Sequence, residues 1–361
     1  MTNLEVLPQE EVCPPAGLGA GTGSGPCVQL WPAREVPLGG IRGMIVLRTL
    51  PQRGLPTVGA WCFLDSFGPD RTPMSVLPHP HTGLQTVTWP LAGHVRHRDS
   101  VGSDVIVRPG ELNIMTAGYG VSHSEFAVLP EPGADGGRGA SGGGGASAGD
   151  AADGGAQLPV QRGLQLWVAL PDAERNRPPA FEQHRDLPTV HGPGFVATVM
   201  VGSFAGGASP ATMYTPIVGA EVRCGGAAAL PLNPEFEHAV LVIDGGLTVD
   251  GQEIGPGPLG YLGEGREVLH VHGQPETRFL LIGGEPLEEE LLMWWNFVGR
   301  THEEVALARA DWEAQAALPD AAAAAARFGL VRGHGPDAGR EAGRIPAPPL
   351  PGVQLRPRTR S

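Results

Sequence analysis

Apolar and polar residues alternate in short runs along most of this chain, and glycine and proline cut the runs at close intervals. MIVLRTLP ends at Pro51 and TVGAWCFLDSFGP ends at Gly68-Pro69. LQTVTWPL is rich in branched and aromatic residues, and Gly93, Gly102 and Pro109-Gly110 punctuate the stretch after it. Alternation with a period of two marks half-buried strands, and Gly/Pro clusters mark turns, so this region predicts several short strands. RGLQLWVALP resumes the pattern and PPAFEQHRDLP interrupts it as a Pro-bounded connector. FVATVMVGSF, YTPIVGAEVRCGGAAALPL, HAVLVIDGGLTVDG, GPLGYLGEG and RFLLIGGEPL then repeat the texture at the spacing of a sandwich or barrel. Two β domains in tandem are predicted. Only near the end does the period change. Thr301 and Glu304 have the spacing of a capping box, and Val305, Ala308 and Trp312 share one helical face, which predicts a helix packed across a barrel.

At 361 residues the chain has room for two domains, and its 41% hydrophobic content suffices for real cores. Gly 55 and Pro 37 make up over a quarter of it, which points to low-complexity segments inside a turn-rich β protein. Three such segments are legible: a Gly/Pro/Ala-rich arm over 1–28, a Gly/Ala/Ser/Asp insert over about 131–157, and a Pro/Arg/Gly-rich tail over 319–361. Each buries too little apolar surface to offset its ordering entropy, so all three are expected to be disordered.

The net charge of −13 argues against direct binding to nucleic acid or an anionic membrane, which needs clustered cations. Every basic side chain apart from histidine is arginine; without lysine, Schiff-base chemistry, pyridoxal phosphate attachment and a Walker-type phosphate loop are excluded. Cys13, Cys27, Cys62 and Cys224 form no C-x-x-C, so neither a disulfide framework nor a thiolate zinc site is expected. The acidic N-terminus lacks an apolar signal core and no run reaches the length of a membrane span, leaving a cytoplasmic protein as the default expectation.

The candidate chemistry lies between Pro78 and Glu125. His79 and His81 stand two residues apart, as do His123 and Glu125, and residues i and i+2 of a strand project from one face. Three imidazoles and one carboxylate form a mixed N/O donor set suited to a first-row transition metal, leaving two positions of an octahedral ion open. Gln85, four residues after His81, is a poor substitute for a carboxylate ligand. His270 and His272 repeat the His-x-His spacing further on, but no His-x-Glu comes after them, so they and His238 read as structural.

HPHTGLQTVTWPLAG, RPGEL and MTAGYGVSHSE together resemble the metal-binding half of the pirin family, whose members carry His-x-His early and His-x-Glu late. VPLGG, FLD-x-FGP and the closing WWNFVGRTHEEVALARADWEAQAAL are also similar to that family. The resemblance implies an all-β fold of two tandem cupin (jelly-roll-like) barrels with a C-terminal helix. It divides the chain into a metal-binding cupin over 29–172, a linker over 173–190 and a cupin without metal over 191–318. It also implies one divalent metal, most simply Fe(II), on His79, His81, His123 and Glu125. His97, in a further run similar to the family, is read as supporting the ligands or the fold, and Asp65 as capping a turn. Pirin-like proteins are associated with quercetin 2,3-dioxygenase activity, which implies O2 and a small aromatic substrate as partners, with Glu125 also accepting the substrate proton. Eukaryotic pirins are alternatively described as redox-sensitive regulators, which implies a protein partner and no catalysis.

Overall fold

The computed structural model describes residues 26–38, 44–128, 159–333 and 343–356. The arm expected over 1–28 therefore lies outside the described residues except for its last three, and the insert expected over 131–157 lies outside them altogether. Twelve strands lead through the first half: β1 (Gln29–Trp31), β2 (Arg34–Leu38), β3 (Met44–Leu50), β4 (Trp61–Asp70), β5 (Ser75–His81), β6 (Leu84–Ala92), β7 (Val95–Asp99), β8 (Asp104–Val107), β9 (Leu112–Thr116), β10 (Val121–Ala127), β11 (Gln161–Ala169) and β12 (Ala180–His184). β2 to β12 form a seven-stranded sheet, β12-β9-β6-β11-β4-β3-β2, and a four-stranded sheet, β5-β10-β7-β8, with antiparallel neighbours throughout. Side chains of the two sheets meet in one interior, where Phe67 of β4 clusters with Val76 of β5 and Val95 of β7. The second half builds one large antiparallel sheet around the long strands Ile217–Pro231 and Val268–Gly284.

Two elements cross the expected boundary. β1, expected in the first domain, pairs with Leu259–Gly263 of the second, Leu30 opposite Gly260. Residues 180–184, expected as linker, form β12 and pair with β9, Phe181 opposite Met115. Each domain thus completes its sheet edge with a strand that composition alone would leave free.

The outer face of the seven-stranded sheet is buried against the second domain. Trp61, Trp89, Leu112, Ile114 and Leu166 share a core with Met200, Ile217, Leu280 and Ile282. Polar bonds lock this contact: Trp61 Nε1 donates to the carbonyls of Val218 and Gly283, Trp89 Nε1 to Glu221, and the Gly59 amide to Glu237.

The predicted helix, α1, runs His302–Gln315; the Thr301 side chain accepts from the Glu304 amide, and Val305, Ala308 and Trp312 are buried. It packs against Trp294, Trp295 and Phe297 rather than across a barrel. The tail expectation also needs correction. Phe328, Ala347 and Leu355 are buried in the same cluster, Trp312 Nε1 donates to the Ile345 carbonyl, and the Arg344 guanidinium lies 4.0 Å over the Trp312 ring. Few apolar residues suffice because the segment lies on a ready aromatic surface. No helix among the described residues is long and apolar enough to cross a membrane.

Candidate metal centre

β10 lies between β5 and β7. His123 stands opposite His79 on β5 and Asp99 on β7, while Glu125 stands opposite Val76 and His97, with a bulge in the β5 register between His123 and Glu125. Residues two apart on a strand share a face. Three pairs, His79/His81, His123/Glu125 and His97/Asp99, therefore project together into the interior, and none of the six is more than 3% exposed. Gly83 closes the turn after His81 at φ +70°, where a Cβ would lie 2.1 Å from the Val298 carbonyl oxygen, so the glycine of HPHTG is required by the backbone.

Ligand-type atoms of His79, His81 and His123 lie within 4.8 Å of one another, as do those of His97, His123 and Glu125. His81 Nε2 and His123 Nε2 are 3.1 Å apart. Two imidazole nitrogens bound at right angles to one ion, each at about 2.1 Å, stand about 3 Å apart, so this pair has the spacing of adjacent ligands. His79 Nε2 is buried and has no hydrogen-bond partner among the described residues, while its Nδ1 lies 2.8 Å from the Leu77 carbonyl. The carbonyl can only accept, so Nδ1 carries the hydrogen and Nε2 presents a lone pair. The donor set fits a transition metal.

The same reasoning orders the other side. Asp99 Oδ2 lies 3.1 Å from His97 Nε2, and its Oδ1 accepts from the Val101 and Ser103 amides at 3.0 and 2.9 Å. An ionised carboxylate only accepts, so His97 Nε2 donates, and in a neutral imidazole that leaves His97 Nδ1 as an acceptor. His123 Nδ1, 3.4 Å away, is then the donor in a long hydrogen bond, and His123 Nε2 turns a lone pair toward His81. Burial sets the protonation. Desolvation pushes His79 down to about 3 and holds His81 and His123 well below the usual imidazole value. All three are therefore neutral at physiological pH, the form in which an imidazole can bind a metal.

Aromatic rings of the facing sheet close over the site. Trp167 meets His81 edge-on with centroids 5.1 Å apart, Phe181 stacks on His97 at 4.6 Å, and Phe63 stacks on Trp167 at 3.9 Å.

His79, His81 and His123 are thus brought together, and Glu125 joins His123 and His97 in a second group that shares His123. The i, i+2 rule that exposed the first two pairs also fits His97 and Asp99, so Asp99 was open to the same reasoning. Asp65 caps no turn; it forms a buried two-pronged ion pair with Arg48 at 2.8 and 2.9 Å. Gln85 points away from the centre and donates to Thr116 and to the Thr212 carbonyl. His270 and His272 are exposed on the outer face of their strand, whereas His238 is buried.

Residues 43–136 match the family model described as Pirin, and residues 217–317 match that described as Pirin C-terminal cupin domain. A Pseudomonas aeruginosa protein provisionally named a quercetin 2,3-dioxygenase is 38% identical over 88% of this chain and 89% of its own length. A crystal structure of quercetin 2,3-dioxygenase from Acinetobacter baumannii superposes with a TM-score of 0.75 at 36% identity, covering 91% of this chain and 97% of that one. A bacterial pirin from Escherichia coli, solved with nickel(II), shares the fold at a TM-score of 0.53 and 17% identity, covering 72% of this chain and all of that one.

Proposed function

Because the chain belongs to the pirin family, we propose that His79, His81, His123 and Glu125 hold one iron(II) ion, and that the protein is an oxygenase of the quercetin 2,3-dioxygenase type acting on flavonols or a related enol. The observation that carries the reading is a pair of donor groups sharing His123, one of three neutral imidazoles and one that brings in the Glu125 carboxylate, in a buried interior walled by Trp167 and Phe181. When bound, the ion supplies Lewis acidity toward an enolic hydroxyl and a redox-active centre for O2.

The protein's own groups do the rest. His97 and Asp99 fix the tautomer of His123, and the Leu77 carbonyl fixes that of His79, so the lone pairs converge without reorganisation. The Trp167 and Phe181 rings exclude water and offer flat apolar surface to a planar substrate. Glu125 takes the proton of the substrate's 3-hydroxyl, which makes the flavonol electron-rich enough to react. In the overall reaction O2 and the flavonol give a ring-opened ester and carbon monoxide, with no external reductant.

The test is O2 uptake and ring opening by the iron-loaded protein on a panel of flavonols, with metal content measured beside the rate. Glu125→Gln should lose far more turnover than metal, because an amide still presents an oxygen but takes no proton at neutral pH. Turnover per bound iron that survives the change removes Glu125 as the base. A fully loaded wild-type protein inert toward every flavonol would favour the other reading of the same centre, an iron-dependent redox sensor that binds a protein partner.

A further inference from the structure

The seven-stranded sheet presents two rows of side chains to the interior. The strand registers set Phe181, Met115, Thr86, Trp167 and Phe63 side by side across β12, β9, β6, β11 and β4, and this is the row that touches His81 and His97. One two-residue step along each strand, about 7 Å away, the same registers align Gln183, Asn113, Thr88, Gln165, Asp65 and, on β3, Arg48. The next step on β4 is Phe67, which packs with Val76, the register partner of Glu125. The polar row is thus bracketed by residues that contact both sides of the metal centre.

An interior facing an opposed sheet is ordinarily filled with branched apolar residues. Here Arg48, Asp65, Thr88, Asn113 and Gln165 are all buried. Arg48 and Asp65 satisfy each other, and Thr88 Oγ1 donates to Gln165 Oε1 at 3.0 Å. Asn113 does not fit this closed account. It is 2% exposed, and neither its amide nitrogen nor its amide oxygen has a partner among the described residues. Its neighbours Leu112 and Ile114 enter the core between the domains, so alternation turns Asn113 inward with Met115. A buried amide offering both a donor and an acceptor is costly to leave unpaired and suits a ligand that brings its own oxygens.

We infer that Asn113, with Thr88 and Gln165 beside it, is a hydrogen-bonding subsite for the remote hydroxyl groups of a planar aromatic enol whose ring faces lie against Trp167 and Phe181. The ligand class rests on the oxygenase reading above; the subsite itself rests on the polar row. It discriminates among flavonols by their substituents, while the metal centre takes the enol common to all of them.

Binding is measured on the metal-loaded full chain without O2, so that affinity is read apart from turnover. The probes are quercetin, which carries hydroxyls remote from its enol, and 3-hydroxyflavone, which has none. Asn113→Leu should weaken quercetin about tenfold or more while changing 3-hydroxyflavone less than about threefold. Thr88→Val, close to isosteric, guards against a folding defect and should shift the same ratio the same way. Metal content should match wild type in both. Equal affinities in wild type and variants, equal losses for both probes, or wild-type protein that binds neither probe would each overturn the subsite; the first would mean that the Asn113 amide holds only water. Selective binding without O2 uptake would sink the oxygenase reading and leave the subsite standing. Turnover with no selectivity in the variants would do the reverse.

Discussion

Asp99→Asn should strip metal affinity from the first domain while leaving its fold in place. The Asp99 side chain is fully buried, its Oδ1 anchors the Val101 and Ser103 amides, and its Oδ2 accepts from His97 Nε2 at 3.1 Å. An asparagine keeps the first job through its amide oxygen. It fails the second, because an NH2 group now faces His97 Nε2. That nitrogen must become the acceptor, which moves the hydrogen to His97 Nδ1, where it confronts the donor on His123 Nδ1 across 3.4 Å. Relieving the clash moves the His123 hydrogen to Nε2, the atom that otherwise offers a lone pair beside His81. A hydrogen bond to a charged group contributes about 1.5–3 kcal/mol, and each ~1.4 kcal/mol is a factor of ten, so affinity should fall about 10–100-fold. Competition of nickel(II) between the protein and a chelator at fixed pH gives the ratio directly, with thermal unfolding of both apoproteins alongside. Affinity within threefold of wild type would refute the relay. A large drop in the apoprotein midpoint would instead assign Asp99 to the fold.

Two further predictions separate this centre from the other histidines. Replacing both His270 and His272 by Ala should leave metal content near one per chain, since they are exposed and no third donor joins them among the described residues; elemental analysis showing a loss would place metal in the second domain. Burial lowers His238 to about 4, so the unfolded chain binds its proton first. The stability it confers is complete above the unfolded value near 6.5 and is lost as pH falls toward about 4, by ~1.4 kcal/mol per unit and ~3 kcal/mol at most. His238→Gln should therefore narrow the gap between urea midpoints of the apoprotein at pH 7 and pH 4.5; an unchanged gap would contradict the assignment.

The proposed ligands stood out because a strand writes its faces into sequence with a period of two, and two pairs at that spacing share one buried interior. The two β domains and the closing helix were legible for the same reason, since periodicity is local, while their identity as cupins came from the family resemblance. What could not be read depends on partners distant in sequence. Nothing in Gln29–Trp31 says that it will pair with Leu259–Gly263, and nothing in PPAFEQH says that it will edge the first sheet. The tail looked unstructured because its composition lacks a core of its own, yet Arg344, Ile345, Ala347 and Leu355 need only the surface of α1 and Phe328. Asn113 is the sharpest case. Its polarity was visible, but its burial comes from the neighbouring strands and its meaning from what those strands leave unpaired.

These long-range contacts also explain what a second domain, with no donor cluster among its described residues, does for the first. The seven-stranded sheet carries an aromatic row and a polar row on its inner face, and a wall of that kind contributes less apolar burial than an ordinary core. Its outer face makes up the difference: Trp61, Trp89, Leu112, Ile114 and Leu166 bury against the second domain, and the Trp61, Trp89 and Gly59 bonds fix the register between the two. β12 rests at one edge of that sheet and supplies Phe181, whose ring orients His97. The second domain therefore acts as a rigid backing. It lets the inner face of the first sheet be chosen for chemistry rather than for stability, and it holds Trp167 and Asn113, on adjoining rows of that face, at a fixed separation from the metal centre.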